Sequence, residues 1–173
     1  MVEVERFANG RNFQTSFVII DSKSIKNTDT AKEKGYDAGK KISGIKLHLA
    51  VDILGLPQAM HITKADTTDR NGAIEMFIAT SDNLNKVQNM LVDSGYSGEK
   101  FSGAVKKILG CRVEVVKKSE LHTFKVMPKR WIVERTFAWL EKCRRLWKNC
   151  ERELSTSKQL TVLALLTLIL RRF

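Results

Sequence analysis

The sequence predicts an α/β domain, a mixed β-sheet flanked by helices. Two apolar runs, FVIID (17–21) and the one in NKVQNMLVD (85–93), read as core strands that each end in an acid. Between them ISGIKLHLAVD alternates apolar and polar residues, the period of a strand with one packed face. The strands come first as a consecutive group and then alternate with helical segments, the order of a mixed sheet covered by helices.

Residues 1–16 are polar and unpatterned, which predicts an N-terminal loop or frayed segment ahead of a domain over 17–173. FVIID is a buried strand with Asp21 at its C-terminal edge. The lysine- and glycine-rich text of 27–43 has no apolar period and reads as a flexible basic loop. In the next strand Ile45, Leu47, Leu49 and Val51 alternate with Lys46, His48, Ala50 and Asp52. ILGLP supplies a turn, for which Asp52 is suited, and QAMHITK (58–64) returns as the second strand of a hairpin. A helix starts at Thr68 or Asp69, with Ile74, Phe77 and Ile78 on one face.

After the Asp93 strand come a glycine turn, a short helix over Glu99 to Leu109, and the strand CRVEVVKK. PKRWIVERTFAWLEKCRRL predicts one helix from Pro128 to Leu146, burying Val133, Phe137, Leu140 and Trp147. Pro128 suits its first turn. LTVLALLTLIL (160–170) predicts a last helix buried against the domain, capped by Ser155, Thr156 or Ser157 and closed by Arg171 and Arg172. It is shorter than the ~20 residues that span a bilayer.

Charge narrows the function. Thirty Lys and Arg against 19 Asp and Glu give +11 in 173 residues. The resulting pI near 9.7 favours a polyanionic partner, nucleic acid before an acidic membrane. Cys111, Cys143 and Cys150 form no CxxC pair and no zinc spacing, which points to a reducing compartment without structural disulfides. The N-terminus has charges and no apolar core segment, so no signal peptide is expected.

Asp21 and Asp93 each close a core strand, and ligands of open α/β sheets bind beyond the carboxyl ends of strands. Carboxylates on neighbouring strands repel unless a cation lies between them. Hard oxygen donors select Mg²⁺ or Mn²⁺. Glu134, on a helix packed over that edge, supplies a third acid. A pair of such ions activates an attacking oxygen and stabilises a leaving one in phosphoryl transfer. The competing reading is that each aspartate simply serves a turn, as DSG sequences do.

Five stretches then resemble one family: IIDSKSIK, GYDAGKKISGIKLHLAVDILGLP, DRNGA, LVDSGYSGEKF and RWIVERTFAWLEKCRRL. Together they look like the RNase H-like catalytic domain of a DDE transposase of bacterial insertion sequences, in the insertion-sequence-four/five group. The resemblance implies that Asp21, Asp93 and Glu134 are the catalytic triad and the ligands of two divalent ions, Mg²⁺ or Mn²⁺. It implies cleavage of a transposon strand by water, then attack of the freed 3′-hydroxyl on target DNA, with no protein nucleophile.

Double-stranded DNA is the implied partner, as transposon ends and as target. A homodimer, or an upstream DNA-recognition polypeptide, is the implied assembly. The implied location is the bacterial cytoplasm at the nucleoid, without a membrane. Twenty residues precede Asp21, fewer than a helix-turn-helix needs, so the expectation is chemistry without end recognition. Two alternatives stay open: a non-catalytic DNA-binding remnant or regulator, and a general RNase H-like nuclease.

Arg130, four residues before Glu134, matches the family's arginine. Met127 stands where the family has tyrosine, and Glu141 where it has a base, so Lys142 or Arg145 is expected to supply that charge. Candidate DNA contacts are Lys23, Lys26, Lys40, Lys41, Lys46, Arg130, Arg135, Lys142 and Arg145. Trp131, Trp139 and Trp147 are expected in the core, with base stacking reserved for any that is exposed.

Overall fold

The computed structural model describes residues 1–116 and 129–171. Its elements are α1 (Val2–Ala8), β1 (Phe17–Lys26), β2 (Gly35–Asp37), β3 (Ile42–Val51), β4 (Pro57–Lys64) and α2 (Asp69–Thr80), followed by β5 (Asn89–Asp93), α3 (Glu99–Leu109), β6 (Arg112–Val116), α4 (Trp131–Glu141) and α5 (Leu154–Leu170). The expectations placed on Pro128, Met127, Lys117, Lys118 and Arg172 lie outside the described residues.

Among the described residues the strands form one six-stranded mixed sheet in which β3, β1, β5 and β6 are successive neighbours. β1 pairs antiparallel with β3 and parallel with β5, and β5 pairs parallel with β6. The other edge of β3 takes β4 along Ile45–Val51 and β2 along Ile42–Gly44.

Side chains alternate across a strand, so each strand feeds two cores. Val18 and Ile20 of β1 join Ala50, Ala73, Met76, Phe77, Phe101 and Val105 under α2 and α3. Ile19 joins Leu47, Leu49, Leu91, Val133, Phe137 and Leu165 under α4 and α5. By that parity Asp21 continues the Ile19 side and Asp93 the Leu91 side, so both acids fall on the face that α4 covers.

Several expectations are corrected. The N-terminal stretch is not a loop throughout, because Val2–Ala8 is helical and buries Glu5 and Arg6. The guanidinium of Arg6 meets the carboxylate of Asp52, and Asp52 Oδ1 accepts from the N–H groups of Leu54 and Leu56 at 2.9 Å each. Asp52 therefore serves the turn. β1 runs past Asp21 to Lys26, because β3 supplies a partner along that whole length. Asp21 is thus mid-strand and not at its end. The expected basic loop contains the edge strand β2.

β3 is buried on both faces from Gly44 to Val51. Its polar side is covered by α2. Thr68 caps that helix through Asn71 N–H, and the buried face is Gly72, Ala73, Met76 and Phe77, while Ile78 is exposed. α4 ends at Glu141 and is followed by a 3₁₀ turn, Arg144–Leu146, so Trp147 leaves the helix and is 65% exposed.

The N-cap position of α5 is Glu153, which makes no side-chain cap, and not a serine or threonine. It buries Ser157, Thr161, Leu165 and Ile169 at four-residue steps, whereas Leu163 and Leu170 are exposed. Among the described residues no helix is long and apolar enough to cross a membrane.

Candidate functional site

The parallel pairing of β1 and β5 sets Ile19 level with Leu91, so two residues further on Asp21 and Asp93 stand side by side. There β5 ends and turns into a 3₁₀ turn, Ser94–Tyr96, in which Asp93 Oδ1 accepts from Gly95 N–H at 2.9 Å. A Cβ on Gly95 would come 3.0 Å from that same oxygen, so the turn closes tightly on the aspartate. Asp21 Oδ1 accepts from Ser22 N–H at 2.8 Å.

The first turn of α4 faces these acids. Lys129 adopts a left-handed backbone, φ 69°, just before the helix, and Arg130 follows as its N-cap. Arg130 Nη2 lies 3.5 Å from Asp21 Oδ2 and 3.3 Å from Asp93 Oδ2, and its Nε lies 3.5 Å from Glu134 Oε1. The three acids therefore converge on one guanidinium. Because Asp21 and Asp93 share the same nitrogen, their oxygens are no further apart than the sum of those two contacts.

Burial of Asp21 raises its pKa above the usual carboxylate value, and Asp93 adds to that. Ser22 N–H and Arg130 pull in the opposite direction. One arginine for three acids leaves the cluster short of positive charge. Its carboxylate donors are those a hard divalent ion prefers. Among the described residues no three His, Cys, Asp or Glu side chains stand close enough together to hold one ion as they are. The acids fit a divalent ion in kind, and the cation that contacts all three in this structure is Arg130.

The other face of the sheet braces this arrangement. Asp69 opens α2 and pairs with buried Lys46 at 2.9 Å. Lys46 Nζ also donates to Thr67 O at 2.8 Å and lies 3.5 Å from Asp37. Arg70 Nε donates to Gly95 O at 2.9 Å, which ties α2 to the turn after Asp93. Gly72 lies directly against His48, and Ala73 enters the core. The DRNGA motif is thus the joint between α2, β3 and the Asp93 turn. Tyr96, buried beside Ser22, has its pKa pushed well above the usual value by burial, with Asp21, Asp69 and Asp93 adding to it. Neither Arg70 nor Tyr96 stands out in the sequence as part of the site; the one signal is that they lie inside DRNGA and LVDSGYSGEKF.

The remaining candidates separate. Lys40 and Lys41 are exposed, and Lys40 is near enough to act on Asp21 electrostatically. Lys26 and Lys142 are exposed as well. Lys46 points inward and is held by the ion pairs above, so it is not presented to a phosphate. Lys23, on the same strand face as Asp21, pairs with Glu141. Arg135 is sandwiched between Trp131 and Trp139, 4.6 Å from each ring, and donates to Leu54 O at 3.1 Å. Arg145 lies beyond the end of α4 and binds Glu151 at 2.9 Å, so it does not stand on the helix that carries Glu134. Trp131 and Trp147 are exposed, not core.

The fold and the chain are both matched by known proteins. A Burkholderia cepacia protein assigned as the transposase of insertion sequence element IS402 is 29% identical over 116 residues, 63% of this chain and 54% of that protein. The chain therefore spans about half the length of this curated relative. A chain of the simian T-cell lymphotropic virus intasome, in complex with PP2A regulatory subunit B56 gamma, superposes with a TM-score of 0.56 at 17% identity, over 89% of this chain and 48% of that one. The catalytic core domain of BIV integrase superposes with a TM-score of 0.53 at 14% identity, over 88% and 82%. At such identities these two speak for the fold alone, the RNase H-like mixed sheet flanked by helices. The family model described as the transposase DDE domain matches residues 12–169, and the chain belongs to that family.

Proposed function

We propose that this chain performs divalent-metal-dependent DNA strand cleavage and strand transfer for an insertion sequence, with Asp21, Asp93 and Glu134 as its acids. The observation that supports this is their convergence, from β1, β5 and α4, on the single guanidinium of Arg130. These carboxylates would hold Mg²⁺ or Mn²⁺, two ions in the reading advanced here. When bound, such ions supply Lewis-acid stabilisation of the attacking and leaving oxygens of an in-line displacement.

The protein's own contribution is placement. The β1–β5 register sets two acids level, α4 brings the third, and the Arg70–Gly95 contact steadies the turn behind Asp93. Double-stranded DNA is the proposed substrate, drawn by a net charge of +11 and by exposed Lys40 and Lys41. A homodimer, or pairing with a DNA-recognition polypeptide, and action at the bacterial nucleoid belong to the same proposal.

The test is Mg²⁺-dependent cleavage of duplexes carrying the element's terminal sequences, by wild type and by Asp21→Asn, Asp93→Asn and Glu134→Gln. Each substitution should abolish cleavage while circular dichroism stays native. Full activity in any one of them removes that acid from the site. Equal cleavage of RNA–DNA hybrids or arbitrary duplex would favour a general nuclease instead.

A further inference from the structure

Arg130 is the only cation that touches all three acids among the described contacts, and its grip is loose. Its contacts run from 3.3 to 3.5 Å, against about 2.7–2.9 Å for a charge-assisted hydrogen bond. Nε is buried and makes no hydrogen bond within the described residues. Nη2 donates one long hydrogen bond, to Asp21 Oδ2 at 3.5 Å, so the guanidinium is held among the carboxylates more by charge than by geometry. Its side chain starts from the N-cap of α4, with Lys129 in a left-handed conformation before it, so it reaches the acids from a helix end and not from a packed helix face.

We infer that Arg130 is an internal counter-cation that keeps the three carboxylates assembled when no divalent ion is bound and is displaced when one binds. The inference rests on the metal-holding reading of the same acids. Two consequences separate it from a merely supporting arginine. A supporting arginine orients the carboxylates, so its removal weakens metal binding. A displaced arginine competes with the metal, so its removal strengthens binding while leaving the metal-free acids to repel one another.

The experiment is isothermal titration of Mn²⁺ into wild type and Arg130→Gln, with thermal unfolding of both proteins without metal. Arg130→Gln should bind Mn²⁺ roughly fivefold more tightly, the scale of a part-exposed ion pair, and should melt at a lower temperature without metal. Equal or weaker binding by the variant overturns the inference and leaves the metal site standing. No binding by either protein overturns the metal site and the inference together.

A second measurement does not depend on the variant folding. In wild type, the Arg130 Nε–H resonance should move progressively as diamagnetic Mg²⁺ is added and stop moving at saturation. A resonance that does not move while Mg²⁺ binds overturns the inference.

Discussion

A methyl group placed on Gly72 would lie 2.1 Å from Nε2 of His48. The backbone of α2 therefore rests on the imidazole itself, and His48 is fully buried between that helix and the sheet. Alanine is the better helix former by about 1 kcal/mol. Overpacking a rigid ring against a helix backbone costs about 1–3 kcal/mol and more when nothing can yield. Gly72→Ala should therefore destabilise the protein by roughly 2 kcal/mol in urea denaturation. The loss should largely disappear in a His48→Ala background, as coupled neighbours require. A stabilised Gly72→Ala protein would show that the two elements do not touch as described.

The same burial sets a pH dependence. Desolvation lowers the His48 pKa from 6.5 to about 3, with Asp69 opposing and nearby Lys46 adding to the shift. The unfolded chain then binds a proton near pH 6.5 that the folded chain refuses until about pH 3. The His48 contribution is therefore constant above that upper value and falls as pH drops through the window. Between pH 7 and pH 5 the loss should be at most about 2 kcal/mol. His48→Gln, which keeps a polar group for Thr63, should flatten this part of the stability curve. Parallel curves for the two proteins would exclude His48 as the source.

How much of this was legible depends on the element. Asp21, Asp93 and Glu134 could be singled out as candidates because two apolar strands and an amphipathic helix each carry one acid in a patterned context. Their meeting on Arg130 could not be read, since it depends on β1–β5 register and on the N-cap of α4. The strict alternation of β3 signalled one packed face. The polar side proved buried too, because Lys46 finds Asp69 and Thr67 O, and His48 finds Thr63 at 3.0 Å. Composition does not reveal such satisfaction. The end of α4 was equally hidden. No Gly or Pro follows Glu141 to stop the helix; instead Cys143 N–H bonds to Leu140 O, and the Trp147 indole N–H bonds to Glu141 O. α1 has too few residues for a period to show, and its anchor, Asp52, is distant in sequence.

That anchor carries the next expectation. Asp52 is fully buried, and Arg6 is its cationic partner, with Arg6 Nε also donating to Asn12 O at 2.9 Å. Removing one partner of a buried pair strands the other, which costs about 3 kcal/mol. Arg6→Ala should lose stability on that scale, softened by the two N–H groups that Asp52 retains. A loss below about 1 kcal/mol in chemical denaturation would mean that α1 is dispensable to the domain.

Lys46 and Lys40 should behave as opposites. Lys46→Ala leaves Asp69 and Asp37 short of charge inside the protein. It should cost about 2 kcal/mol, discounted because Asp69 is partly exposed. It should not change the salt dependence of DNA binding. Lys40→Ala should be nearly neutral for stability but reduce the slope of log K against log salt by roughly one. The pair of measurements is decisive in either direction: a lowered slope for Lys46→Ala would place that lysine on the DNA instead.

Glu141 is the acid that stands where the resemblance leads one to expect a base, and the structure gives it a partner on β1, Lys23. The two side chains are 57% and 34% exposed, so water screens the pair and its loss should change stability by less than about 0.5 kcal/mol. For the proposed binding of duplex DNA, the expected electrostatic effect is larger than the structural one. Lys23 shares the strand face of Asp21, and Glu141 cancels its charge there. Glu141→Gln frees that lysine and removes one negative charge from the protein, while the backbone oxygen that receives the Trp147 indole is untouched. Both changes act in the same direction on a polyanion. Glu141→Gln should bind duplex DNA more tightly at low salt, with the salt slope steepened by roughly one. In Lys23→Ala/Glu141→Gln the steepening should vanish, because no freed lysine remains. If the slope steepens equally in that double variant, the charge comes from elsewhere and the Lys23–Glu141 pair has no part in DNA binding.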